Sequence, residues 1–565
     1  MSLQDVVTSE GKVIEEPLRV ANAAAVEWAD EADAVVVGFG GAGAAAALEA
    51  REKNLDVVVI DRFQGGGSTA YSGGVYYAGN TRFQRDAGYN DTPQDLFNYL
   101  AQERKDAVSE ETLRQFCEES GESVEWLVGH GVRFEGSLYS GKTNYPPEDK
   151  FLYYSGNEKV PAFAAKAKPA PRGHRTVAKG WSGYAFFGAL EKSAYAHGVR
   201  ARSHCRAMRL VMDASDSVIG VEVLELEKPE DQQKHQALYK IVDPMKPFNA
   251  EKAEKAMIDA AALEQSAGKR KLIRARHGVV LSTGGFSYNV KMVGKHMPFL
   301  AERNEALIRL GSAGCSGSGI QLGASVGGSV GKLDRSFLGR MIVPPNALVS
   351  GLIVNQRGQR FCNEDAYNAI LGNAIMEQPG GDAWIILDKE LHRKLLWQLI
   401  PRGDGAFVPY IAPAILNLLF GGTKKAKTLT ALAQKAGIDP AGLERTVADA
   451  NAAIAAGRPD PTGKNPDYAR PLGKGPYWAL NTSIGNKFSF CIFFTLGGLR
   501  VDEKRGVVLR DNGTSINGLY AAGRAAMGIP SDGYISGLSL ADCVFSGRRA
   551  ARDIALKRPN QERAA

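Results

Sequence analysis

Hydrophobic positions near the start of the chain come in short, unbroken, β-branched runs. Asp33-Ala-Val-Val-Val37 is one, and such runs belong to strands buried on both faces of a parallel sheet. Ala44–Asn54 follows, rich in alanine with two Glu, one Arg and one Lys, and predicts a helix. Leu55–Ile60 is a second buried run, closed by Asp61, so the order is strand, glycine turn, helix, strand. Thr92-Pro93-Gln94-Asp95 supplies a hydroxyl cap, a proline for the first helical position and an acid for the first turn. Helical patterning continues to about residue 130. The Pro-, Gly-, Tyr- and Lys-rich stretch 140–182 has no such period and reads as a long surface excursion. Val199–Leu226 alternates, with Asp213–Ser217 as a turn between two strands. Residues 227–276 are polar, Ala-rich and mostly helical in composition. They read as a peripheral insertion ahead of a strand at Gly278–Ser282.

Near residue 331 the texture changes to shorter elements. Leu395–Leu419 is apolar but broken by Pro401, Gly403, Pro409 and Pro413. It suits a lipophilic lid or a piece of core and is too interrupted to span a bilayer. Residues 458–477, rich in Pro and Gly, form a return linker, and from Thr495 a βα pattern resumes, ending in a helix over roughly 538–555. The expected fold is α/β: a discontinuous Rossmann-like domain, residues 1–330 and 491–565, with an inserted α+β capping domain over 331–490.

Composition narrows the functional classes. A chain of 565 residues, 44% hydrophobic and 23% charged, is an ordinary globular composition and too long for one core. The net charge of +7 is small for this length. The basic cluster Lys269-Arg270-Lys271, Arg274 and Arg276 comes without an aromatic platform, so it reads as a solvated face and nucleic acid is not an expected partner. Six scattered cysteines without a CxxC pair, and eight histidines without an HxxxH grouping, point to no metal site and a reduced compartment. The N-terminus lacks the apolar core of a signal peptide. A cytoplasmic location is the expectation by elimination, with 395–419 as the segment for any peripheral membrane contact.

The chemistry begins at Gly38-x-Gly40-Gly41-x-Gly43, which lies between a strand and a helix. Asp61 follows 23 residues after the first glycine. Glycines let backbone approach a pyrophosphate, the helix N-terminus stabilises its charge, and the acid takes a ribose hydroxyl. A row of small residues then runs from Gly65 to Gly74, as a cofactor longer than a nicotinamide dinucleotide requires. Ser282-Thr-Gly284-Gly285 and Gly518-Leu-Tyr-Ala-Ala-Gly523-Arg524 add further glycine turns, and Gly537-Leu-Ser539-Leu540 opens the last helix. Its free N–H groups suit a flavin's pyrimidine oxygens. Non-covalent FAD is therefore expected along Gly38, Gly40, Gly41, Gly43, Asp61, Arg62, Gly66, Ser68, Thr69, Ser72, Gly73, Gly74, Gly284, Gly285, Gly523, Arg524, Ser539 and Leu540. Arg524 is read either as a packing residue or as a partner of cofactor phosphate.

These motifs, with Thr495-Leu-Gly-Gly-Leu499, resemble the fumarate reductase/succinate dehydrogenase flavoprotein superfamily over most of the chain, outside 140–182 and 227–276. Dicarboxylate reductases of that group carry a histidine before the Thr-x-Gly-Gly motif, where this chain has Phe493-Phe494. An apolar wall suits a large ketone better than a dianion.

The branch it most resembles is the FAD-dependent 3-ketosteroid dehydrogenases. The resemblance implies a 3-keto steroid substrate, an external electron acceptor, and a proton-moving tyrosine at Tyr367. That tyrosine lies in Asn363-Glu-Asp-Ala-Tyr367, one residue shorter than the family spacing. It also implies that Tyr534 and the Gly537 amide polarise the ketone. Tyr534-Ile-Ser536 in place of a Pro- and Gly-rich stretch resembles the Δ4-(5α) type, with Ser536 assisting the proton, more than the Δ1 type. The Δ1 branch uses a further tyrosine, for which Tyr139, Tyr145, Tyr153 and Tyr154 are all candidates. The alternatives are a Δ1-dehydrogenase, a fumarate-reductase-like enoate reductase and a non-catalytic FAD-binding scaffold.

Overall fold

The computed structural model describes residues 13–104, 106–242, 250–401 and 411–557. Nine strands form the main sheet. Asp30–Val37 lies parallel to Val57–Ile60 on one side and to the long strand Lys269–Leu281 on the other. The first half of that long strand pairs antiparallel with Val218–Glu225, and its last three residues pair parallel with Ser515–Ala521. The C-terminal segment is thus stitched into a sheet begun by the N-terminal one.

The helix after the glycine turn spans Gly41–Glu52, and its first ten residues are buried. Its alanines have a physical purpose, because it packs along the final helix, Leu538–Leu556, at near-backbone distance. A Cβ on Gly547 would stand 2.4 Å from the Ala42 carbonyl oxygen. Glu49, buried in this contact, receives Arg548 at 2.7 Å and Arg552 at 3.1 Å.

Two expectations are corrected. The 140–182 stretch is not a surface excursion. Leu138–Tyr139, Leu152–Tyr153 and Gly173–Arg175 form a four-stranded sheet with Val75–Tyr77, and Arg172, His174 and Arg175 have no solvent exposure. Most of its buried polar groups find partners within the protein, as burial demands, although Arg172 Nη1, Arg175 Nε and Trp181 Nε1 do not. Arg172 pairs with Asp91 at 2.8 Å, and His174 lies 2.8 Å from the Thr81 hydroxyl. Nor is the 227–276 insertion purely peripheral. Helices Pro229–Ile241 and Ala250–Ala267 lead into the long strand, and buried Glu264 ties Arg62, Arg206 and His235 together. The basic cluster lies on that strand and is ion-paired, with Arg270 on Glu15 and Arg276 on Asp33.

Between the nucleotide-binding segments, Leu352–Val354, Trp384–Leu387, Tyr477–Asn481 and Lys424–Ala426 make a separate antiparallel sheet. A three-stranded sheet pairs Cys491–Thr495 with both Leu307–Arg309 and Ser336–Arg340, running across both expected domain boundaries. The 395–419 segment contributes the end of helix Lys389–Gln398 and most of helix Ala412–Phe420; residues 402–410 lie outside the described part. Among the described residues no helix is long and apolar enough to cross a membrane.

Burial pushes the His174 imidazole down to about 4. The unfolded chain therefore binds a proton that the native state refuses, and stability falls as pH drops from about 6.5 to about 4. Urea unfolding across that window is expected to show a loss of up to about 3 kcal/mol, reduced in His174→Gln.

Candidate active site

Two cavities join into one cleft along the C-terminal edge of the central strands. The first, about 100 Å³, lies over Gly38, Gly40, Gly41, Asp61, Arg62, Ser68, Thr69, Gly284, Gly523 and Arg524. The second, about 130 Å³, is bounded by Ser72, Gly73, Tyr367, Tyr534, Ser536, Gly537, Ser539 and Leu540. Ser68, Thr69, Arg524 and Cys543 line both. Sequence motifs far apart in the chain therefore meet along a single channel.

At the first end the backbone leaves no room for side chains. A Cβ on Gly43 would lie 1.9 Å from the Gly38 carbonyl oxygen, so the helix can start against the turn only with glycine there. Asp61 accepts the Phe39 and Phe63 amides at 2.8 Å each. Both oxygens still have lone pairs, which suits a ribose hydroxyl. Arg62 is committed elsewhere, to Glu264 at 2.6 and 3.1 Å. Burial alone would raise the Glu264 carboxyl, but Arg62, Arg206 and His235 hold it far below the usual range. Arg62 thus shapes the wall, and Arg206 and Tyr239 line the same cavity.

Gly43, Gly66, Gly74 and Gly285 are absent from both linings and act through packing. Gly66 donates its amide to the Phe39 carbonyl at 2.7 Å. Gly74 abuts Ser182, where a Cβ would come within 2.5 Å of the backbone carbon. Gly285 abuts Thr495, whose hydroxyl also accepts the Phe286 amide at 3.0 Å and so locks two of the motifs together.

At the second end Tyr534 stands in an aromatic cage, its ring 4.8 Å from Phe337 and 5.0 Å from Phe494. Strand alternation puts Ile492 and Phe494 on this cavity, whereas Phe493 faces a separate small void beside Val290 and Leu300. The expected Phe493-Phe494 wall is therefore Phe494 alone, joined by Phe337. Burial pushes the Tyr534 hydroxyl up to about 12, against the opposite pull of Arg524 and the Gly537 amide. It is a neutral donor throughout the physiological range. Gly537 has φ +95° and opens the last helix; a Cβ there would stand 2.8 Å from the Tyr77 nitrogen.

Tyr367 caps helix Asn368–Met376, its amide held by the Asn157 side chain at 2.7 Å. The loop before it is anchored by buried Glu364, which pairs with Arg360 at 2.6 Å and Lys464 at 3.0 Å. Lys142 of the 140–182 stretch pairs with Asp365 at 2.9 Å.

Sequence reasoning missed several lining residues, among them Asn144, Trp181, Met341 and Asn368. Of the four unaligned tyrosines, Tyr145 lines the cavity and Tyr153 lies 3.3 Å from the Ser536 hydroxyl. No linear signal picks them out, because their role comes from the buried sheet they share. Arg524 stacks over Phe494 at 4.8 Å, at the junction of the two cavities and beside Tyr534.

This chain belongs to the FAD binding domain family, whose pattern matches residues 33–534. The glycine cradle and the long two-part cleft fit that cofactor. The chain is 39% identical over 521 residues to a 3-oxo-5-alpha-steroid 4-dehydrogenase of Comamonas testosteroni, covering 90% of this chain and 95% of the relative. It superposes with a TM-score of 0.78 and 30% identity on the crystal structure of a 3-ketosteroid-delta4-(5alpha)-dehydrogenase from Rhodococcus jostii RHA1. That structure is a complex with 4-androstene-3,17-dione, and the match covers 96% of this chain and 100% of that one. A 3-oxosteroid 1-dehydrogenase of Mycolicibacterium smegmatis is 26% identical, covering 93% of this chain and 97% of that one.

Replacing Gly43 by alanine places a methyl inside the Gly38 carbonyl. The variant is expected to hold flavin more weakly by at least about tenfold, the factor that 1.4 kcal/mol of displacement produces. Flavin absorbance retained per protein after dialysis is the measurement.

Proposed function

We propose that this chain is an FAD-dependent 3-keto-5α-steroid 4-dehydrogenase, built as a nucleotide-binding body from both ends of the chain with a capping body between them. The observation that carries the reading is the far end of the cleft. A neutral Tyr534 hydroxyl, the Gly537 amide, Ser536 and Tyr367 line one aromatic cavity whose only charged wall residue, among those described, is Arg524. An uncharged, flat, apolar ketone suits such a wall. The kinship with the Comamonas and Rhodococcus enzymes supports the same reading.

FAD, when bound, supplies a hydride acceptor in its ring nitrogen N5. The chain's own residues do the rest. Tyr534 donates to the C3 ketone oxygen, and the Gly537 N–H, at the positive end of a 19-residue helix, completes a site for the developing enolate. C4, being next to the ketone, carries the acidic hydrogen, and Tyr367, acting as phenolate, would take it as hydride leaves C5. Ser536 lies 3.3 Å from the Tyr153 hydroxyl, which donates to the Asn144 carbonyl at 3.3 Å, so the serine is oriented beside the ketone site, where it would assist the proton. An external acceptor reoxidises the flavin. Leu396, Trp397, Ile400, Leu419 and Phe420 are 46–65% exposed. With Lys424 and Lys425 close by, they support peripheral contact with an acidic membrane surface.

Anaerobic titration with 5α-androstane-3,17-dione should bleach the flavin and yield the 4-ene product. No bleaching defeats the steroid reading, and a 1-ene product, or bleaching by 4-androstene-3,17-dione, moves it to Δ1 chemistry. Tyr367→Phe should slow bleaching about 10²- to 10⁴-fold with flavin content unchanged. Trp397→Ser together with Phe420→Ser should release the protein from anionic vesicles in a flotation assay; binding that persists unchanged argues against this face.

A further inference from the structure

Beyond the cavity beside Tyr534 lies a third and much larger one, about 520 Å³ against about 130 Å³. Trp181, Met341 and Ile492 line both, so the large space opens from the catalytic one and not from the nucleotide end. Its farther wall is aliphatic, formed by Ile385, Leu395, Ala414, Leu416 and Leu480. Its few polar side chains are partly engaged elsewhere. The Ser489 hydroxyl oxygen accepts from Arg340 at 2.8 Å, the Asn417 side-chain oxygen accepts from Asn486 at 3.1 Å, and the Thr482 hydroxyl is shut off from open space. Among the described residues no charged side chain lines it.

A steroid nucleus is rigid, with C3 and C17 at opposite ends. Resting on the reading above, a ketone held by Tyr534 and Gly537 directs the far end past Trp181, Met341 and Ile492 into this space. A 17-ketone would meet a mostly aliphatic wall there, whereas a hydrocarbon chain would replace void with contact. The volume is in the range that encloses most of an apolar ligand of this size. We propose that the enzyme acts on 3-keto-5α-steroids that still carry a long aliphatic C17 side chain, and that the third cavity holds the chain. Its residues determine specificity and touch none of the reacting atoms.

The test uses the flavin-loaded protein and two substrates, 5α-androstane-3,17-dione and 5α-cholestan-3-one, reading flavin bleaching and product. The wild type should oxidise both, with kcat/KM for cholestanone at least about tenfold the higher, since a single buried methylene already discriminates by about that factor. Ala414→Trp, which fills the cavity, should cut cholestanone turnover at least about tenfold and leave androstanedione unchanged. Leu416→Trp is the second variant should the first lose flavin. Oxidation of androstanedione alone, or equal losses on both substrates in the filled variants, overturns the proposal and leaves the C4–C5 reading standing. Oxidation of neither overturns that reading as well.

Discussion

The contact on which the rest depends is the crossing of helix Gly41–Glu52 with helix Leu538–Leu556. One comes from the start of the chain and the other from its end, and they meet almost backbone to backbone through Ala42, Ala46 and Gly547. Small residues make the approach possible, and the buried Glu49 with its two arginines fixes the pairing. Breaking such a pair would leave a charge in the core at a cost of about 3–5 kcal/mol. Because the helices are locked together, both of their N-termini open on one cleft. One faces the pyrophosphate end and the other faces Tyr534 and Gly537, so a single packing contact sets the separation of two sites of positive potential.

Around that contact the chain builds the substrate end from pieces that share no sequence neighbourhood. Tyr367 is held by Glu364 in the capping region and by Asn157 and Lys142 from the 140–182 stretch. Ser536 is held by Ser155, which donates to its carbonyl at 3.0 Å, and lies next to Tyr153. The buried four-stranded sheet is therefore the frame that relates Tyr367 to Ser536.

Much of the nucleotide half was legible in the chain because its constraints are local. A glycine turn between a β-branched run and an alanine-rich helix has one physical solution, and observed boundaries fall within three residues of those expected for Gly41–Glu52 and Val57–Ile60. The 140–182 stretch misled for the complementary reason. Its prolines, lysines and tyrosines have a surface composition, and only tertiary partners such as Asp91 for Arg172 make burial affordable. The same holds for Glu264, an unremarkable acid in a polar helix until Arg62, Arg206 and His235 surround it. The choice between Phe493 and Phe494 needed a strand register that pattern alone does not supply.

That register bears on the choice between a dicarboxylate and a ketone. With Phe494, Phe337 and Ile492 turned inward, the cavity offers one arginine, stacked over an aromatic ring. Moving a carboxylate into such a wall costs several kcal/mol per charge even after relaxation, and a single guanidinium cannot pair two of them bidentately. A neutral ketone asks only for hydrogen bonds, worth about 0.5–1.5 kcal/mol each, and in the proposed reading Tyr534 and Gly537 give two. In that reading their value rises as negative charge grows on the oxygen, because the donors are fixed before the charge develops. The burial that keeps Tyr534 protonated up to about 12 is thus the same burial that, in the proposed reaction, would make its hydrogen bond stronger in the transition state than in the bound ketone.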